Sequence, residues 1–354
     1  MNIEKNYETL KTFKQVNKDI WMLEYKNSYA LDKMLESGKK GIIGISRFLQ
    51  KEVSKTYAKL KPFHDGFACS TFNAVTPDGE YVLGRNFDYK EAPCIVIWTN
   101  PEDGYKSMAI ADSTFVLYNY KKLEKCKKPL RLLGTPYTCM DGINEKGLAC
   151  AVLEIKAKAT KQKTGKKPIT TTVALRAILD KCANVDEAIN LLSNYDMHDL
   201  LFINYHYQLA DSDGNSAIIE YVNNKMYVIK QEKKGESLKS TNFFITPEGD
   251  NKGGRGKNRF KRIEEVLNDK NGILTEKECM DLLAKCTMKY HHKWMPHMVI
   301  TLWSNVYNCT QKSMLLCAGM DYNTIYKFSV DNPNNFERID NTAIEMKVLN
   351  EEVR

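Results

Sequence analysis

The sequence predicts an α+β fold in layers, with two antiparallel sheets packed between outer helices in the order αββα. Two observations carry this. β-type runs come in blocks separated by pairs of helix-periodic stretches, so the chain does not read as a βαβ repeat. Pro-Asp-Gly and Asp-Gly turn chemistry joins several of those runs into hairpins.

Taken in order, residues 1–60 read as helical and charged, with GKKGIIG (38–44) as a break and the helix-compatible IIGISRFLQKEV after it. KPFHDGFA (61–68) holds Pro62 and Gly66 and reads as an exposed connector. The texture changes at Cys69: CSTFNAV, the turn TPDGE and YVLGRNFDY form a strand, a tight turn and a returning strand. CIVIWT (94–99), KSMAIA (106–111) and LACAVLEI (148–155) follow as strands. TTTVALRAILDKC (170–182) and VDEAINLLSNY (185–195) carry apolar residues at helical spacing. A second hairpin runs through INYHYQLA, DSDGN and SAIIEYV, with KMYVIKQ behind it. Beyond the Gly-rich loop 249–258, RFKRIEEVLND and TEKECMDLLAKC read as helices. HMVITLWSNVYNCT, KSMLLCAG and TIYKFSV return to strands.

Composition narrows the function classes. Hydrophobic residues at 43% and charged residues at 27% are those of an ordinary globular chain. No apolar run approaches the roughly 20 residues of a membrane span, and the charged N-terminus lacks the apolar core of an export signal, so the expected location is cytoplasmic. Residues 1–68 hold +5 of the net +8. The basic stretches 121–128 and 156–167 lack the interleaved aromatics of a nucleic-acid groove, so no nucleic-acid partner is expected. None of the 10 cysteines forms a CxxC pair, which removes a zinc signature, and most should be small buried hydrophobes. His291, His292 and His297 cluster in HHKWMPH without the spacing or carboxylates of a metal site, so no metal is expected. His206, Cys309 and Cys317 read as structural.

One cysteine has suggestive surroundings. Cys69 opens a strand just behind Gly66-Phe67-Ala68, and the PDG hairpin folds Arg85 and Asp88 back beside it. A guanidinium next to a thiol raises its thiolate fraction, and a carboxylate can orient an ammonium. The same residues also describe a core cysteine beside an Arg–Asp pair, and these positions alone leave both readings open.

Five segments, in one order, carry a resemblance: CSTF…GRNFDY (69–89), DGINEKGLA (141–149), NYHYQLADSDGNSAIIE (204–220), STNFF (240–244) and NRFKRI (258–263). Together they resemble the choloylglycine hydrolase group of linear-amide C–N hydrolases, which includes bile salt hydrolases and penicillin V acylases. Acid ceramidase-like, N-acylethanolamine amidase-like and isopenicillin-N acyltransferase-like proteins are more distantly similar. The resemblance implies an Ntn-hydrolase αββα sandwich over residues 69–354, preceded by a largely helical segment 1–68 that is either a pro-segment or a retained small subunit. It implies Cys69 as nucleophile with its freed α-amino group as base, Arg85 packed against it, Asp88 holding the amine, Asn144 and Asn242 shaping the oxyanion hole, and Arg259 as a late arginine of the site. Bile salt hydrolases commonly open Met-Cys-Thr. Here Cys69 lies behind 68 residues and Ser70 replaces the usual Thr, so the Ala68–Cys69 bond must be cut, by the chain itself or by a protease acting on the connector near Lys59 and Lys61. Phe87, Tyr89 and Trp98 are candidates for contact with the acyl group of the substrate. The implied activity is hydrolysis of an N-acyl amide without a cofactor, with acyl transfer to an amine and an inactive binding module as alternatives. The expected partners are the small-molecule substrate and further copies of the chain.

Overall fold

More residues lie in strands than in helices, and the structure, a computed structural model, describes residues 3–54, 68–116, 130–199, 203–291, 298–333 and 335–340, with Asn119, Lys121, Leu123 and Lys125. Most of the expected connector 61–68, much of the basic stretch 121–128 with Cys126, and His292 and His297 lie outside them.

In chain order the strands are β1 (Lys14–Gln15), β2 (Ile20–Tyr25), β3 (Ala68–Val75), β4 (Tyr81–Lys90), β5 (Cys94–Thr99), β6 (Ser107–Asp112), β7 (Cys139–Asn144), β8 (Ala149–Lys158), β9 (Pro168–Thr170) and β10 (Asp196–His198). They continue with β11 (Ile203–Ala210), β12 (Ser216–Val222), β13 (Lys225–Lys230), β14 (Lys239–Ser240), β15 (Lys289–His291), β16 (Met298–Asn308), β17 (Ser313–Ala318), β18 (Thr324–Ser329) and β19 (Phe336–Asp340). The α-helices are α1 (Ile3–Lys11), α2 (Leu31–Ser37), α3 (Gly41–Phe48), α4 (Thr171–Lys181), α5 (Val185–Ser193), α6 (Lys257–Asp269) and α7 (Glu276–Ala284).

Two large sheets result. One runs β1-β2-β5-β6-β7-β8-β11-β12-β13, the other β14-β3-β4-β16-β17-β18-β19 with β15 added to β16. Phe87, Ile97, Ala151, Trp303 and Leu316 share the core between them. A second core under α6 and α7, with Phe72, Val82, Ile263, Leu283 and Val306, covers the outer face of the second sheet. Helix α4 packs on β7 and β8, across the first sheet. The αββα expectation therefore describes the molecule. Local chemistry sets the helix ends: Asn184 caps α5 through the Glu187 N–H, and Thr275 and Glu278 form a capping box on α7.

One expectation is corrected. The N-terminal segment is not wholly helical: Ile20–Tyr25 is a buried strand, and it pairs parallel with β5, so the first sheet is antiparallel except at this junction. Six residues are too few for apolar periodicity to separate strand from helix, and pairing with the exposed edge of β5 decides the outcome. In addition, CMDGIN forms β7, a strand whose Asp and Gly disguise it in the sequence.

Candidate functional site

The β3–β4 hairpin builds the centre of the site. Its register sets Ala68 opposite Asp88, Cys69 opposite Phe87 and Thr71 opposite Arg85. Cys69 is fully buried. Arg85 Nη2 donates to its Sγ at 3.4 Å and to the Val152 carbonyl at 3.1 Å, while Nη1 donates to the Met140 carbonyl at 2.9 Å. A guanidinium fixed by two carbonyls is held against the thiol instead of sampling rotamers.

Asn242 and Arg259 grip the backbone of the same residue. The Cys69 N–H donates to Asn242 Oδ1 at 2.8 Å, and Arg259 Nη1 donates to the Cys69 carbonyl at 2.5 Å. Arg259 Nη1 also donates to Ser70 Oγ at 2.8 Å and lies 3.5 Å from Asp88 Oδ2, and its Nη2 donates to Asn242 Oδ1 at 2.9 Å. Thr301 donates to Asp88 Oδ1 at 2.5 Å. Gly256 makes this approach feasible: at φ +87°, a Cβ there would meet Arg259 Nη2 at 2.8 Å and Thr241 Cβ at 2.9 Å.

Cys69, Arg85, Asp88, Asn242 and Arg259 thus come together. Asn144 does not join them. Its Oδ1 accepts the N–H groups of Lys146 and Leu148, each at 3.1 Å, and its Nδ2 donates to the carbonyls of Leu179 at 3.0 Å and Cys182 at 2.7 Å. That side chain closes the β7–β8 turn onto the end of α4, and its hydrogen-bonding capacity is spent there. Phe87 stacks on Trp303 at 4.2 Å between centroids and leads through Tyr89 to Phe115. Trp98 belongs elsewhere, edge-on to Phe328 at 5.8 Å with Nε1 donating to the Ser329 carbonyl at 2.9 Å.

Two carboxylates of the site were not singled out from sequence. Asp141 Oδ2 lies 3.0 Å from Arg85 Nε, and Asp141 accepts from Trp303 Nε1 (3.0 Å), Asn305 Nδ2 (2.9 Å) and Tyr307 OH (2.5 Å). Residues 303, 305 and 307 share one face of β16, so the strand's period of two aims all three donors at one carboxylate. The DGINEKG motif contained Asp141, which could have been read as a partner for a buried arginine. Glu154 closes the other side: its carbonyl accepts from Asn242 Nδ2 at 2.8 Å, and its buried carboxylate lies 3.4 Å from Arg255 Nη2. Its one signal in the sequence is an acidic residue inside the apolar run LACAVLEI.

These charges set the thiol's state. Burial pushes the Cys69 thiol up to about 12; Arg85 opposes this, Asp88 adds to it, Arg259 opposes it and Glu154 adds to it. At neutral pH the sulfur keeps its proton, so nucleophilic chemistry here requires a base.

The two sheets packed between helices, with Cys69 near the start of β3, are the frame in which the site sits. Over residues 75–323 the sequence matches the family described as acyl-coenzyme A:6-aminopenicillanic acid acyl-transferase, and the chain belongs to that family. The matched stretch begins after Cys69, so the place of that residue rests on the geometry above. Among curated relatives, a penicillin V acylase of Pectobacterium atrosepticum is 37% identical over 116 residues, 29% of this chain and 30% of that protein. The chain therefore spans about a third of the relative it matches. A conjugated bile acid hydrolase from Clostridium perfringens superposes with TM-score 0.54 at 14% identity, over 80% of this chain and 99% of the other. A penicillin V acylase from Agrobacterium tumefaciens gives 0.51 at 16% identity, over 79% and 99%. At these identities the structural likeness concerns the fold.

Proposed function

We propose that the chain is a cysteine amide hydrolase that cleaves the linear, non-peptide C–N bond of an N-acyl substrate after its own Ala68–Cys69 bond has been cut. The observation that carries this is the cage around Cys69: thiol on Arg85, nitrogen on Asn242, carbonyl on Arg259, in a pocket where the thiol keeps its proton. The cut turns the Cys69 nitrogen from an amide into an α-amine. An α-amine with an ordinary pKa near 8 can take the Sγ proton. The thiolate then adds to the substrate carbonyl, the tetrahedral intermediate expels the amine with that proton, and water releases the acyl group from sulfur. Asp88 and Asn242 hold the ammonium, and the Asn242 amide is the side-chain donor best placed for the oxyanion once it leaves the Glu154 carbonyl.

Cutting by the chain itself fits the same cage: Cys69 Sγ adds to the Ala68 carbonyl, the Cys69 nitrogen leaves carrying the thiol's proton and becomes the α-amine, and water hydrolyses the Ala68 thioester so formed. Purified Cys69→Ala protein is expected to stay full length while the wild type yields two fragments. Identical cutting of the variant refutes self-processing. Intact-mass labelling with iodoacetamide then tests the nucleophile, and a mature protein unlabelled at Cys69 points to a binding module.

Segment 1–68 is proposed to stay as a small subunit. Its β2 belongs to the first sheet, Tyr25 OH donates to the Leu133 carbonyl at 2.9 Å, Tyr29 OH donates to Asp180 at 2.6 Å, and Tyr137 OH donates to the Tyr29 carbonyl at 2.6 Å. Burial of Ile20, Leu23, Met34, Phe48 and Val53 adds apolar area that release would expose, at about 1.5–3 kcal/mol per side chain. The two fragments are expected to co-elute on gel filtration in native buffer. The family's acyl-transferase description favours a second reading, acyl transfer to an amine; adding an amine acceptor and weighing the products separates it from hydrolysis.

A further inference from the structure

Beneath Asn242 lies a pair of buried groups that the chemistry above does not use. His206 on β11 and Glu220 on β12 are both completely buried. His206 Nε2 lies 2.8 Å from the Thr241 carbonyl, and Nδ1 lies 3.1 Å from Glu220 Oε1. A carbonyl offers no proton, so Nε2 must carry one. Glu220 Oε1 already accepts the Ile245 N–H and Oε2 the Thr246 N–H, each at 2.8 Å. Two backbone donors favour the ionised carboxylate, so the proton between the two groups belongs on Nδ1. Consistent with this, the Glu220 carboxyl lies below its ordinary value: burial raises it, and the bonds from His206, Ile245 and Thr246 outweigh burial.

The pair holds the turn 241–246 at both ends, at the Thr241 carbonyl and at the Ile245 and Thr246 N–H groups, with Asn242 between. We propose that His206 and Glu220 are positioning residues that fix this turn and so hold the Asn242 carboxamide against the Cys69 nitrogen. The link to catalysis rests on the functional reading above; the link to the turn does not. Three charged groups beside the turn have partners of their own. Arg255 pairs with Glu154, Arg259 with Asp88 and Asn242, and Lys239 with Glu264 at 3.0 Å. None of these replaces the carboxylate at Ile245 and Thr246.

The test compares wild type, Glu220→Gln and Glu220→Asp. Nitrogen-15 NMR of histidine-labelled wild type, with His206 assigned through His206→Asn, is expected to show Nε2 carrying a proton that is hydrogen-bonded to the Thr241 carbonyl. A ring without a proton on Nε2 overturns the hold on the turn. Amide hydrogen exchange, read in the uncut Cys69→Ala background, is expected to rise about tenfold with Glu220→Gln at 241–246 and at position 69, with α4 and α7 unchanged and Glu220→Asp restoring part of the protection. Uniform change along the chain, or none, overturns the positioning role. Should Glu220→Gln fail to fold, the shorter Glu220→Asp carries the same comparison with a smaller rise. In processed protein, Glu220→Gln is expected to lower kcat about tenfold with little change in KM. A wild type inactive on every amide would sink the functional reading while leaving the exchange result to stand.

Discussion

Replacing Asp141 with Asn tests whether Arg85, the arginine beside the Cys69 thiol, is held by charge. Four groups converge on this buried carboxylate: Arg85 Nε at 3.0 Å and the donors of Trp303, Asn305 and Tyr307. In Asp141→Asn the remaining oxygen can still serve Asn305 and Tyr307. The new NH2 then faces Arg85 and the Trp303 N–H, donor against donor, and a buried guanidinium loses its counter-charge. Breaking one side of a buried ion pair costs about 3–5 kcal/mol, more than a neutral hydrogen bond at about 1 kcal/mol. Tyr307→Phe is the control: it removes one donor to the carboxylate and keeps the ion pair, for about 1.5–3 kcal/mol. Urea denaturation followed by tryptophan fluorescence measures both. Asp141→Asn should also slow iodoacetamide labelling of processed Cys69, because Arg85 no longer keeps its pose against Sγ. A variant within about 1 kcal/mol of wild type would refute the reasoning. It would mean that Asp141, whose pKa burial raises against the pull of Arg85, is already protonated in the native protein.

Gly256→Ala should cost roughly 1–3 kcal/mol from its φ of +87° alone and push Arg259 off the Cys69 carbonyl; labelling of processed Cys69 at wild-type speed would show that Arg259 tolerates the shift. Asp199, buried with its carboxylate on the Thr160 N–H and the Thr171 hydroxyl, has its pKa pushed up to about 7 by burial, against those hydrogen bonds. A carboxyl that holds its proton more tightly when folded costs stability as pH rises from about 4 through 7. Asp199→Asn should therefore gain on wild type by up to about 4 kcal/mol at pH 8, with the gain vanishing below pH 4. Urea titrations at the two pH values check this, and a pH-independent difference contradicts it.

How far the sequence reached follows from the distance over which each group was placed. Cys69, Arg85 and Asp88 were legible because a short turn and a period of two fix their register within one hairpin. Asn242 and Arg259 were legible only through the resemblance, since their approach to Cys69 depends on the 241–246 turn and on Gly256, which no local pattern announces. Asn144 shows the limit of motif reading. Its motif is present, yet the carboxamide serves the β7–β8 turn, a job an asparagine at the end of a strand does as readily as catalysis.

The carboxylates Asp141 and Glu154 were missed for a shared physical reason. Each reaches the site from the first sheet, while the cysteine and its arginines lie on or beside the second. Their pairing is decided by how the two sheets face one another, not by either strand's own alternation. Viewed from a single strand, a lone acidic residue in an apolar run is a defect. Across the sandwich it becomes necessary, because Arg85 and Arg259, both fully buried, and the half-buried Arg255 converge on one space, and an unpaired guanidinium at the two buried positions would be too costly to fold. Arg85 with Asp141, Arg259 with Asp88 and Arg255 with Glu154 make three opposed pairs around one thiol. Counting arginines against acidic residues on the facing strands is therefore the sequence-level check that would have found both.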